Sequence, residues 1–195
     1  MKRYLLCFLT LSLGAAMHVS AESPASPAAD TPAAATPPTP NPAPGEICKQ
    51  ARFHDFDFWI GEWEVFSPAG KKVGENRISV VNKGCTLAEH WTNTGGGEGR
   101  SYNAFDAATK TWHQFWSDDQ GGTLWLSGGL REGAMVMEGK SPNASTGKPQ
   151  RQRISWTPNA DGSVRQLWET SDDGGASWQV SFDGHYRRRG NITAD

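Results

Sequence analysis

Glu89 stands two residues from Leu87 on one side and two from Trp91 on the other, and the arrangement recurs with Gln114 between Trp112 and Trp116 and Gln166 between Val164 and Trp168. Ser101 and Asn103 alternate in the same way with Phe105. A spacing of two places side chains on one face of a strand, so these polar groups share a face with large aromatic ones. A solvated polar group needs no partner, whereas one set into an aromatic face must find a hydrogen bond or a ligand. Three arrangements meet that demand. The groups could satisfy one another and Arg153 in a buried network, the faces could be reversed and the polar groups solvated, or they could line a cavity. In a cavity, Trp91, Trp112, Trp116 and Trp168 would form a cage around Glu89, each offering apolar area and one N–H donor. Such walls imply a small apolar or aromatic ligand, with planar or cationic groups favoured by stacking and cation–π contacts.

The same residues set the limits of a catalytic reading. Glu89 would be the general acid or base if burial raised its pKa beside a histidine or Arg153. The chain has no G-x-S-x-G elbow, no H-E-x-x-H and no Walker loop. The glycines between 95 and 99 precede a strand and are not followed by Lys-Ser or Lys-Thr, which argues against a phosphate cradle. Beyond the leader, His54, His90, His113 and His185 show no spacing that brings two of them together locally, and no metal site is expected.

What must position these residues is a run of short strands. Alternation marks strands at Trp63–Val65, Val73–Val81, Cys85–Thr92, Arg100–Phe105, Thr111–Ser117, Thr123–Leu130, Ala134–Gly139, Gln150–Thr157, Ser163–Ser171 and Ser177–Arg188. Turn signals such as Asn82-Lys83-Gly84, Arg131-Glu132-Gly133 and Asn159-Ala160-Asp161-Gly162 separate them. A helical period is limited to 47–59, enough for one short turn ahead of the first strand. About ten antiparallel strands with short loops leave no room for a parallel crossover. The closure that removes both edges is an all-β, antiparallel up-and-down barrel.

Around this domain, placed at 46–190, the sequence predicts a signal peptide at 1–21, a disordered Ala/Pro-rich linker at 22–45 and a tail at 191–195. Cys7 lies inside the apolar part of the leader, where it could not be a lipidation site. Loss of the leader's two basic residues moves the formal net charge from −2 to −4, which offers nothing to nucleic acid or to an anionic membrane. The leader's apolar run is too short to span a bilayer, so an integral membrane protein is not expected. Cys48 and Cys85 then remain as a pair, and in an exported protein, periplasmic or secreted, a pair reads as one disulfide. Oligomeric state leaves no mark in the sequence.

Gly61-Glu62-Trp63, with Arg187 and Arg188 near the end of the last strand, resembles the G-x-W pattern of calycins, the lipocalins and related barrels. The resemblance implies that Trp63 packs across one end of the barrel beside an arginine from the final strand, either Arg187 or Arg188. A ten-stranded barrel of this kind, nitrobindin, holds haem through a histidine, so His90 and His113 are the conceivable haem ligands, although alternation sets both opposite the aromatic cage. No other cofactor is implied. The run Phe56-Asp57-Phe58-Trp59-Ile60-Gly61-Glu62-Trp63, together with Gly84–Trp91 and Trp168–Gly175, resembles a family of exported bacterial proteins of unknown function over most of 53–188. Residues 171–178 resemble the Asp-box hairpin of sialidase-type propellers; a propeller would repeat that box, so a single copy reads as a stable turn. The sequence thus points to an exported calycin-like barrel binding a small apolar or aromatic molecule. An enzyme working through Glu89, or a structural envelope module whose barrel is filled by its own tryptophans, are the alternatives.

Overall fold

The structure is a computed structural model in which residues 42–190 are described. The expected signal peptide, most of the linker (22–41) and the tail lie outside the described residues. Ten strands follow one another: β1 (Gly61–Phe66), β2 (Lys72–Val81), β3 (Thr86–Asn93), β4 (Glu98–Asp106), β5 (Thr111–Asp118), β6 (Thr123–Arg131), β7 (Ala134–Pro142), β8 (Pro149–Pro158), β9 (Val164–Ser171) and β10 (Gln179–Arg188). Each pairs antiparallel with its neighbours, and β1 also pairs with β10, so the sheet closes as an up-and-down barrel of calycin-like architecture. Closure leaves no strand edge open. Each expected strand is present, the tenth beginning at Gln179 rather than Ser177. The register is set by burial: one face of every strand must point into the barrel, and a slip of one residue would turn its aromatics out to water.

The helical period at 47–59 becomes three 3-10 turns, Glu46–Lys49, Ala51–His54 and Asp57–Trp59. They carry Phe53, Phe56 and Trp59 into one end of the barrel, where all three are buried. Phe56 stacks on Trp59 with ring centres 4.9 Å apart and meets Trp156 edge-on at 5.2 Å. Phe53 meets Phe105 edge-on at 5.2 Å. Edge-to-face and offset geometries of this kind add to the benefit of removing the rings from water. The plug is tied to the barrel by a disulfide between Cys48 and Cys85, whose Cα atoms are 5.0 Å apart. Among the described residues no helix is long and apolar enough to cross a membrane.

Trp63 lies at this closed end, buried, and donates from Nε1 to the carbonyl of Trp59 at 2.9 Å. Its partner on β10 is Arg188, whose guanidinium sits over the indole at 4.5 Å and donates to the carbonyl of Ile60 at 3.1 Å. Arg187 points to the other face and covers Phe66. Of the two candidate arginines, Arg188 therefore does the packing. Gly61 makes room for it: its φ of +145 lies where L side chains are strained, and a Cβ there would collide with the Arg188 guanidinium. Gly61→Ala is expected to cost about 1–3 kcal/mol in urea denaturation, whereas Gly70→Ala, at positive φ in an open turn, carries only the backbone part of that cost.

The Asp-box-like segment is a turn tied back on itself. Asp173 accepts from Ser171 Oγ at 2.7 Å, from the Ser177 amide at 2.9 Å and from Ser177 Oγ at 2.6 Å. These donors hold its carboxyl well below the usual carboxylate range.

Candidate functional site

Beyond the aromatic plug the barrel interior opens into a cavity of about 420 Å³. Six of the ten residues picked out by alternation line it: Glu89 and Trp91 on β3, Gln114 and Trp116 on β5, Gln166 and Trp168 on β9. They meet because they share the inward face of strands that close on one another. Val73, Leu124, Ile154 and Phe182 complete the apolar wall, and Tyr186 and Ser181 contribute hydroxyls.

Two of the wall tryptophans are seated on glycines. A Cβ at Gly74 of β2 would strike the Trp91 ring, and one at Gly99 of β4 would strike the Trp116 ring. Each indole lies flat across a neighbouring strand because no side chain stands there. Trp168 is held differently, by donating from Nε1 to Gln152 Oε1 at 2.7 Å. Gln152 is buried and in turn donates to Ser141 Oγ at 3.0 Å and to Gln150 Oε1 at 2.9 Å.

Glu89, 6% exposed, is the one acidic side chain on the cavity wall among the described residues. Ser101 Oγ donates to its Oε2 at 2.6 Å, and Asn76 Nδ2 donates to its Oε1 at 2.7 Å. Asn103 supports Ser101, donating to Oγ at 2.8 Å, and accepts at 2.8 Å from Gln114 Nε2. On the other side Asn76 Nδ2 reaches Tyr186 Oη at 3.2 Å, and Tyr186 Oη donates to Gln166 Oε1. Ser101 and Asn103 thus stand behind Glu89 and position it, forming a second layer that does not line the cavity. Burial raises the Glu89 carboxyl from its ordinary 4.5 to about 7, opposed in part by the hydrogen bonds from Ser101 and Asn76. Burial and the neighbouring Glu89 also push the Tyr186 hydroxyl well above its ordinary value, so it stays neutral.

Two expected members of the site lie elsewhere. Trp112 shares the inward face of β5 but sits four residues down the strand from Trp116, 1% exposed, with Phe56 at 5.8 Å and Phe105 at 6.0 Å. It belongs to the plug. Arg153 is on the outer face of β8, where it binds Glu169 Oε2 through Nε at 3.1 Å and Nη2 at 2.9 Å and stacks 3.9 Å from the Trp178 ring. The hydrogen bonds around Glu89 form without it. His90 pairs with Glu98 and Arg100 on the outside, and His113 is exposed, so neither faces the cavity.

Sequence reasoning missed Asn76 beside Glu89 and, on the cavity wall, Val73, Asn93, Leu124, Ile154, Ser181, Phe182 and Tyr186. Asn76 carried a readable signal, since it alternates with Ile78 on β2 and both are buried. Val73 and Ser181 carried none. Each falls at a register shift, Val73 opposite Val65/Phe66 and Ser181 between Val180 and Phe182, and is left out of the ladder. A bulge of this kind re-aims a side chain that strict alternation would send outward.

The arrangement can hold a flat apolar body between indoles and present one buried carboxyl to it. No protein-family model and no curated protein matches the chain.

Proposed function

We propose that this is an exported calycin-like barrel that binds a small apolar or aromatic molecule. The observation that carries the reading is the cavity of about 420 Å³ between Trp91, Trp116, Trp168 and Phe182, with Glu89 in its wall. It falls within the range of roughly 300–1,000 Å³ typical of small-molecule sites and combines aromatic walls with a few convergent polar groups. The space counts against a barrel filled by its own tryptophans, since four of the nine, Trp59, Trp63, Trp112 and Trp156, are fully buried around the plug end and leave the upper barrel open. The disulfide supports export, because such bonds persist in oxidising compartments.

A titration with N-phenyl-1-naphthylamine, followed through tryptophan quenching, tests the reading. Saturable binding at one probe per chain is expected, weakened about tenfold in Trp116→Ala, whose indole is part of the wall. Linear, non-saturating quenching that is unchanged in the variant would sink the reading.

One observation favours the enzyme reading as the alternative. A carboxyl poised at about 7 is suited to giving and taking a proton near neutral pH. The two readings share the cavity and differ in turnover of whatever molecule is found there.

A further inference from the structure

The polar groups around Glu89 are unequally used, and the imbalance specifies what the cavity accepts. The Ser101 hydroxyl is spent on Glu89 Oε2 and the Tyr186 hydroxyl on Gln166. The Asn76 amide group is shared between Glu89 and Tyr186. The Asn103 amide group is committed to Ser101 Oγ and the carbonyl of Leu87. Capacity remains on Glu89 itself, whose carboxylate oxygens each have lone pairs beyond the one bond received.

Charge is unbalanced in the same sense. Facing Glu89 are Asn76 and Ile78 from β2, Ser101 and Asn103 from β4, Gln114 from β5 and Tyr186 from β10, all neutral. Among the described residues no Lys, Arg or His lines the cavity. A buried carboxylate with two neutral donors and no counter-ion is costly to ionise, and a ligand that supplied the missing cation would be held by the same low-dielectric surroundings that impose the cost. The walls suit the rest of such a ligand. Indole faces attract cations as well as flat rings, and Trp91, Trp116 and Trp168 stand around the same space.

We propose that the cavity selects basic amines with an apolar or aromatic body, the ammonium group pairing with Glu89 and the body lying between the tryptophans. The inference rests on the ligand-binding reading above and narrows it to one chemical class. The pH dependence follows. At about pH 6 the Glu89 carboxyl is mostly protonated and gives an ammonium no ion pair; above its value of about 7 it is ionised. Affinity for an amine that stays protonated throughout should therefore rise with pH.

Calorimetric titration with 2-(1-naphthyl)ethylamine and its uncharged counterpart 2-(1-naphthyl)ethanol, at about pH 6 and about pH 8.5, decides the matter. The amine is expected to bind about tenfold more tightly at the higher pH, the factor by which the ionised fraction of Glu89 changes, while the alcohol binds alike at both. Glu89→Gln is expected to abolish that rise. The wild-type profile carries the test by itself should the variant fold poorly. If the alcohol binds as tightly as the amine at the higher pH, or the amine shows no rise, the amine inference is overturned and ligand binding stands. If neither probe binds under any condition, both are overturned.

Discussion

Glu89→Gln is expected to be more stable than the wild type at about pH 8 and to lose that advantage near pH 4. The reason is the cost of ionising a buried carboxyl. Burial moves the folded-state value to about 7 from an ordinary 4.5, so between those values the folded protein holds a proton that the unfolded chain has released. Stability falls with pH wherever the folded state binds more protons. The penalty is absent below about 4.5, builds as pH climbs toward 7 and levels off above it. Two and a half pKa units correspond to about 3 kcal/mol. Glutamine keeps the shape and one acceptor oxygen for Asn76 without the charge. Urea denaturation of both proteins across this pH range measures the difference. Carboxylates held low by hydrogen bonds, such as Asp173 and Asp183, give the opposite slope in acid, and they cancel between wild type and variant. A difference independent of pH would mean that Glu89 ionises in the folded state as freely as in the unfolded chain.

That a protein keeps a carboxyl where it costs stability fits a site held ready for a partner. An isolated buried charge is a poor stabilising device, and Ser101, Asn103 and Asn76 are all spent on orienting this one. A bound ammonium would offset the cost, so occupancy and stability should rise together by simple linkage.

The barrel was legible because most strands bury one face and leave the other to solvent, as β2, β4 and β8 do. Glu89 with Leu87 and Trp91, and Gln114 with Trp112 and Trp116, carry the inward face in their spacing. Alternation reports the face of a sheet but not the height within a barrel. Trp112 and Trp116 share a face yet lie about 13 Å apart along the strand, one in the plug and the other in the cavity wall. The choice between Arg187 and Arg188 was hidden for a related reason: it depends on the cross-strand pairing of Trp63 with Arg188, which closes the barrel over more than a hundred residues. Arg153 lies on the outer side rather than in the network around Glu89, and its sequence neighbours give this away. Gln152, Ile154 and Trp156 are the buried positions of β8, which sends Arg153 out to Glu169. Tyr186 was masked by the basic residues that follow it.

Replacing both cysteines, Cys48→Ala with Cys85→Ala, is expected to give the largest loss of any change considered, about 4 kcal/mol by loop-closure entropy over a separation of 37 residues. The crosslink joins the plug segment to the start of β3, so without it the unfolded chain gains the freedom of everything between, including β1 and β2. The folded state has other means of holding the plug. Phe53 against Phe105, Phe56 against Trp156 and the bond from Trp63 Nε1 to Trp59 all remain. The effect should therefore fall on the unfolded side: a lower denaturation midpoint, with the near-ultraviolet circular dichroism of the buried tryptophans unchanged in the absence of denaturant. Reduction of the wild type with dithiothreitol should reproduce the double variant. A loss confined to the near-ultraviolet signal, with the midpoint held, would instead place the role of the crosslink in the folded state, as the clamp that keeps Phe56 and Trp59 in the barrel end.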